Sequence, residues 1–95
     1  MAIRVLLKRH VPGEKIDELR NLLDRLRLQA MDQPGYISGE TLKRIDEPGI
    51  LLVIGKWKSM REWQLWFDSP DRKALQKQID KLLGDETEYE VYDYD

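Results

Sequence analysis

The chain contains no cysteine and only one histidine, His10. The absence of cysteine excludes disulfides and thiolate metal sites, and it fits a reducing compartment. No apolar run approaches the ~18–20 residues of a membrane span, and the start of the chain, Met1-Ala2-Ile3-Arg4, lacks the apolar core of a signal peptide. We therefore expect a cytoplasmic protein with no membrane partner.

Several motifs that carry well-known chemistry are also missing. There is no glycine-rich phosphate loop, no nucleophile elbow and no cluster of metal ligands, and any catalytic triad would have to use His10. The 16 lysines and arginines do not cluster with aromatic residues, and residues 85–95 contain acids but no base. The sequence therefore gives no indication of a cofactor, a metal or a nucleic-acid partner.

The most informative stretch runs from residue 50 to residue 72. Ile50–Ile54 is an unbroken run of branched apolar residues, so a strand here has to be covered on both faces. Ser59-Met60-Arg61-Glu62 has the form of a capping box, which predicts a helix start. Ser69 before Pro70 predicts a second helix start, because serine favours the N-cap and proline the first helical position.

The rest of the chain predicts elements on both sides of this stretch. They are a strand over Ala2–Arg9, an amphipathic helix with Ile16, Leu19, Leu23, Leu26 and Ala30 on one face, a strand over Tyr36–Arg44, a helix ending at Gly84, and a strand over Thr87–Tyr94. The order is β-α-β-β-α-β with the second helical region split. It predicts one α+β domain over residues 1–95, with a ferredoxin-like fold and an antiparallel four-stranded sheet. Gly39 suggests a bulge or a close backbone approach.

The apolar third strand has a consequence for assembly. In the predicted topology the helices cover one face of the sheet, because the crossovers are right-handed. The other face would expose an apolar patch of several hundred Å², which is too large for a soluble monomer. We therefore predict a homodimer in which two sheets pack face to face.

Three short segments resemble a known family. They are Pro34-Gly35-Tyr36, Gly55-Lys56-Trp57-Lys58-Ser59 and Trp66-Phe67-Asp68-Ser69-Pro70. In this order and spacing the chain resembles, over nearly its whole length, the antibiotic biosynthesis monooxygenase (ABM) family of the dimeric α+β-barrel superfamily. The resemblance implies a dimeric α+β barrel. Members of this family carry out cofactor-free oxidation of polyphenols and quinols or heme degradation, and many have no known role, so the resemblance leaves these possibilities open.

The heme-degrading branch of the family provides a residue-level comparison. It uses an asparagine on the first strand, a tryptophan, and a heme-ligating histidine ten residues later. The tryptophan matches Trp66, the asparagine position falls near Leu6, and the histidine position is Gln76. Because a glutamine amide is a poor iron ligand, the comparison disfavours heme degradation.

The aromatic residues after the third strand are the strongest candidates for a site. Trp63 and Trp66 are three residues apart and share a helix face, with Phe67 beside them. They could simply fill the core, or they could form an aromatic wall for a flat ligand whose oxygen accepts a hydrogen bond from the Trp66 indole. For Trp57, at the strand end, packing is the favoured interpretation.

The polar candidates have weaker support. His10 could act as a general base on a phenol, although a surface role is favoured. Gln76 could point into the same cavity as Trp66, and Arg72 could attract an anionic ligand. For both, a solvated helix position is the favoured interpretation.

The leading functional hypothesis is a cofactor-independent monooxygenase acting on a small aromatic or quinol-like compound in a pocket near Trp66. The alternative is a non-catalytic ligand-binding or dimerisation module with the same fold. The hypothesis assigns catalysis to Trp66 and His10, and substrate binding to Trp63, Gln76, Leu6, Phe67 and Arg72.

Overall fold

A computed structural model describes residues 2–95 of the chain. Its elements are β1 (Ile3–His10), α1 (Ile16–Met31), β2 (Tyr36–Lys43), β3 (Ile50–Trp57), α2 (Met60–Phe67), α3 (Pro70–Leu83) and β4 (Glu88–Asp93). A short 3-10 helix, Gly13–Lys15, precedes α1 and was not predicted. Across residues 2–95, no helix combines the length and the apolar composition needed to cross a membrane.

The strands form one antiparallel sheet in the order β2-β3-β1-β4. This is the predicted α+β ferredoxin-like arrangement, with the two apolar strands β1 and β3 in the centre and the two more polar strands at the edges. The register between β2 and β3 shifts between Tyr36 and Ser38, next to Gly39. The irregularity therefore falls at Ile37, two residues before the glycine, and Gly39 itself pairs regularly with Gly55.

The ends of α2 and α3 form as the sequence predicted. The Ser59 hydroxyl accepts a hydrogen bond from the Glu62 backbone N–H at 3.3 Å, and the Ser69 hydroxyl accepts one from the Arg72 N–H at 3.2 Å. Both serines thus satisfy a backbone donor that the first helical turn leaves free. Gly84 ends α3 with φ 67°, a left-handed conformation that glycine adopts without steric penalty.

The two faces of the sheet differ in what covers them. On one face, Val5 packs with Trp63 and Trp66 of α2, and Leu51 packs with Leu19 of α1 and Ile79 of α3. All three helices therefore lie on this face, and the space between them and the sheet is where a site can form. Side chains of opposite parity, which alternate along each strand, lie on the other face.

Candidate functional site

A cavity of about 130 Å³ lies between the sheet, α1 and α2. Its lining residues come from five elements: Leu7, Arg9, Leu23, Asp24, Leu26, Arg27, Ala30, Tyr36, Gly39, Glu40, Thr41, Val53, Gly55, Trp57, Trp63 and Trp66. An engineered protein cavity of about 150 Å³ holds benzene. The space therefore suits one aromatic ring.

Three tryptophans form one wall of this cavity. Trp57 ends β3, and the capped start of α2 follows almost at once, which brings Trp63 and Trp66 over it. The Trp57 ring lies 5.7 Å from the Trp63 ring, edge to face, and 6.5 Å from the Trp66 ring in a stacked arrangement. All three side chains are buried, with 2%, 5% and 5% of their surface exposed, respectively. They are therefore core residues and cavity-lining residues at the same time.

The cavity wall also offers hydrogen-bond donors. Within residues 2–95, no protein group forms a hydrogen bond with the Tyr36 hydroxyl or with any of the three indole N–H groups, which belong to Trp57, Trp63 and Trp66. Within residues 2–95, Gln29 Oε1 is the one buried polar side-chain atom without a partner, so these donors are not sealed away from solvent. They are therefore free to donate to water or to a ligand oxygen.

Tyr36 packs between Trp57 and Gly39. Its ring meets the Trp57 ring edge to face at 5.4 Å. A Cβ atom added at Gly39 would lie 2.7 Å from the Tyr36 hydroxyl oxygen, so a larger residue at position 39 would require the phenol to shift. Tyr36 belongs to the family motif, but no role in a site was predicted for it.

Arg9 is the buried charge of the cavity and was missed by the sequence analysis. It is 1% exposed. Its Nε donates to the Thr87 hydroxyl at 3.1 Å, and its Nη2 donates to the Gln76 carbonyl oxygen at 3.3 Å. Burial lowers the pKa of Arg9 below its usual value, although a guanidinium stays protonated in proteins. The missed signal was its parity, because Arg9 continues the inward-facing series of Val5 and Leu7.

The structure brings together only some of the predicted site residues. Trp63 and Trp66 line the cavity. Phe67 lies behind them, with its ring 5.6 Å from the Trp63 ring and 5.2 Å from that of Tyr89. Gln76 is buried beside Arg9, so the favoured interpretation of a solvated glutamine was wrong.

The Gln76 amide is fully engaged. Besides accepting from Arg9, it donates from Nε2 to Asp80 Oδ1 at 2.8 Å and to the Thr87 hydroxyl at 2.9 Å.

Among residues 2–95, no group of three or more histidines, cysteines, aspartates or glutamates is arranged to hold a metal ion.

Leu6 and His10 lie outside the cavity. Both have the parity of the other sheet face: Leu6 pairs with Ile54, and the exposed His10 pairs with Ile50. Leu6 is therefore not among the residues that line the cavity, whereas its neighbour Leu7 is. A general base at the position of His10 would not reach a ligand held there.

Arg72 also has a different place from the predicted one. It is 6% exposed, so the favoured interpretation of a solvated charge was wrong. Its Nε donates to the Phe67 carbonyl at 2.6 Å, its Nη1 donates to the Tyr89 hydroxyl at 3.0 Å, and its guanidinium lies 4.3 Å from the Phe67 ring centre. These contacts join α2, α3 and β4, and Arg72 is not among the residues that line the cavity.

The fold and the cavity define a class: small α+β domains with helices on one sheet face and an aromatic pocket between the two layers. The sequence profile described as antibiotic biosynthesis monooxygenase matches residues 2–78. The chain therefore belongs to the antibiotic biosynthesis monooxygenase family, as the resemblance implied.

Solved structures agree with this fold. A conserved protein from Methanosarcina mazei Go1 is 27% identical with a TM-score of 0.91, over 100% of this chain and 94% of that one. SnoaB from Streptomyces nogalater, a cofactor-independent oxygenase, is 15% identical with a TM-score of 0.86, over 98% and 92%. Rv0793 from Mycobacterium tuberculosis is 19% identical with a TM-score of 0.85, over 99% and 95%. No curated protein sequence matches the chain.

Proposed function

We propose that the protein is a cofactor-independent monooxygenase acting on a one-ring aromatic or quinol-like compound held beside Trp66. The observation that carries this proposal is the cavity itself, which is sized for one ring and walled by three tryptophans. Membership of the family and the shared fold with a cofactor-independent oxygenase support it.

The proposed chemistry draws its electrons from the substrate. A deprotonated quinol gives one electron to dioxygen, and the resulting radical pair combines in a new C–O bond as a peroxide anion. This anion takes up the proton that the quinol released and becomes a hydroperoxide. Loss of water, with the hydrogen of the same carbon, then leaves a carbonyl, so one oxygen atom enters the product and the other leaves as water. The cavity would contribute orientation, donors for the developing charge on oxygen, and exclusion of bulk solvent.

Removal of one indole donor tests the proposal. Oxygen uptake is measured with an electrode across a panel of quinols and small polyphenols. We expect turnover with at least one member and a decrease of about tenfold or more in kcat/KM for Trp66→Phe, because a donor to a developing oxyanion is lost while an aromatic side chain is kept. Tyr94→Phe, on the exposed tail, serves as the control and should match wild type. No turnover with any compound would contradict the proposal.

The second candidate function is a non-catalytic ligand-binding module. The observation that favours it is the composition of the cavity lining, which includes no histidine to accept a proton near neutral pH. Native mass spectrometry that finds a bound aromatic ligand, together with no oxygen uptake, would support this alternative.

We also propose that the protein is a homodimer formed through the open sheet face. Leu6 pairs with Ile54 and Leu42 pairs with Leu52 there, which places four large apolar side chains together on the two central strands and one edge. Leu42 is 45% exposed. A second copy related by two-fold symmetry would bury these side chains against their equivalents.

A charge in the centre of this face should disrupt the dimer. We expect Leu52→Glu to raise the dimer dissociation constant by more than about tenfold, since the two-fold axis brings both carboxylates into one apolar interface. Leu28→Glu, at a position of α1 that is 64% exposed, is the matched control and should leave the dimer intact. Light scattering after size-exclusion chromatography measures both, and a wild-type monomer at micromolar concentration would refute the interface.

A further inference from the structure

We propose that the cavity is an anion-binding site in which Arg9 pairs with a carboxylate or phenolate oxygen on a single aromatic ring. The inference rests on the proposed function only in that it concerns the same cavity, and it requires no oxidation. It narrows the ligand from any flat aromatic compound to an aromatic acid or an ionised phenol.

Arg9 is a buried cation with unused hydrogen-bonding capacity. A guanidinium has five N–H donors in a fixed plane. Two of them are used, one to Thr87 and one to Gln76, and both partners are neutral. The remaining three have no partner within residues 2–95. Because charged side chains are rarely buried unless they are paired, this side chain lacks the anion that burial normally requires.

The charges that surround Arg9 do not supply that anion. Within residues 2–95, no carboxylate oxygen lies within 4.0 Å of its guanidinium. Asp80 on α3 acts on it from a distance through the Gln76 amide, and Arg72 on α3 opposes Asp80. Arg9 therefore carries a positive charge that its own fold leaves largely uncompensated.

An anion in the cavity can reach the Arg9 side chain. Arg9 is one of its lining residues, and most of the others are apolar or aromatic. The acids among them, Asp24 and Glu40, have exposed side chains in contact with solvent, where their repulsion of an anion is screened. A carboxylate can accept two parallel N–H bonds from a guanidinium, and the three tryptophans line the same space. An aromatic anion can therefore pair its charge with Arg9 and pack its ring against the tryptophans.

Matched pairs of anionic and neutral ligands test the proposal. Binding of benzoate is compared with that of benzamide, and binding of 4-nitrophenolate with that of 4-nitroanisole at pH 8, by calorimetry under argon so that no oxidation occurs. We expect at least one anion to bind about tenfold more tightly than its neutral counterpart, the effect of one charge-assisted hydrogen bond. The two arms distinguish a carboxylate from a phenolate as the preferred group.

Two variants shift the affinity in opposite directions. Arg9→Met should reduce the preference for the anion to about one while the neutral ligand still binds. Asp80→Asn should tighten anion binding about threefold, because it removes a distant negative charge and keeps an oxygen that can accept from Gln76. Arg25→Met, an exposed charge on α1, controls for the change in net charge and should bind as wild type does.

The outcomes separate this inference from the proposed function. Equal affinity of the wild type for anionic and neutral ligands, or no anion binding, overturns it, as does a preference that survives in Arg9→Met. If Arg9→Met does not fold, unchanged anion binding in Asp80→Asn overturns it. Anion binding without oxygen uptake contradicts only the monooxygenase proposal. Oxygen uptake without a preference for anions contradicts only the proposed role of Arg9.

Discussion

Leucine in place of Ala30 is expected to abolish the binding of a one-ring ligand without lowering the melting temperature. Ala30 is 8% exposed and lines the cavity near the end of α1. The substitution adds an isopropyl group to a space of about 130 Å³, so the ligand and the new side chain compete for the same volume. Leucine forms helices almost as well as alanine, and filling a cavity commonly stabilises a protein.

Two measurements check this prediction, namely calorimetric titration with benzoate and thermal unfolding followed by circular dichroism. Met31→Leu is the matched control, because Met31 is the next residue on the same helix, is 53% exposed and changes little in volume. It should bind benzoate as wild type does. Full benzoate affinity in Ala30→Leu, with the fold intact, would show that the ligand binds somewhere else.

Methionine in place of Arg72 is expected to reduce the free energy of unfolding by about 2–3 kcal/mol. The change removes two charge-assisted hydrogen bonds, to the Phe67 carbonyl and to the Tyr89 hydroxyl, and leaves these groups without their partner. Phe67 ends α2, so the lost positive charge also stood at the negative end of a helix. Methionine retains most of the apolar stem, which confines the effect to the guanidinium.

Urea unfolding of the variant and of Lys73→Met measures this effect. Lys73 is the next residue of α3 and is exposed, so its loss should change stability by less than about 0.5 kcal/mol. An equal, small effect of both substitutions would mean that Arg72 is not the link between α2, α3 and β4. In that case the contacts of Arg72 with Phe67 and Tyr89 would not contribute to the stability of the fold.

Much of the fold could be predicted because local signals and the sheet pattern agree. The serine caps at Ser59 and Ser69, the glycine end at Gly84 and the unbroken apolar run of β3 each specify one boundary or one environment. Together they determine the order of elements and which strands are central. The wall of Trp63 and Trp66 follows from their spacing on α2.

The polar part of the site was harder to predict because charge and burial point in opposite directions. Arg9, Arg72 and Gln76 look like surface residues by type, and only their positions reveal their burial. Arg9 has the parity of the core residues of β1. Arg72 and Gln76 occupy the same stripe of α3 as Leu75 and Ile79, at helical spacing. At each of these residues, the place in the strand or helix predicts burial better than the residue type does.

The error at Leu6 has a simpler geometric cause. Successive side chains of a strand point to opposite faces, so a shift of one residue moves a side chain from the cavity to the other face of the sheet. The family comparison placed the asparagine position only near Leu6. The pairing of β1 with β3 and the buried contacts of Val5 show which parity faces the helices.

The most direct test of the central claim follows the three indole N–H signals by two-dimensional ¹H–¹⁵N NMR during a titration with benzoate. The chain has three tryptophans, and all of them line the cavity between the sheet, α1 and α2. We predict that all three signals shift together and saturate with a single dissociation constant. Indole signals that stay fixed while resonances elsewhere respond to benzoate would contradict the account.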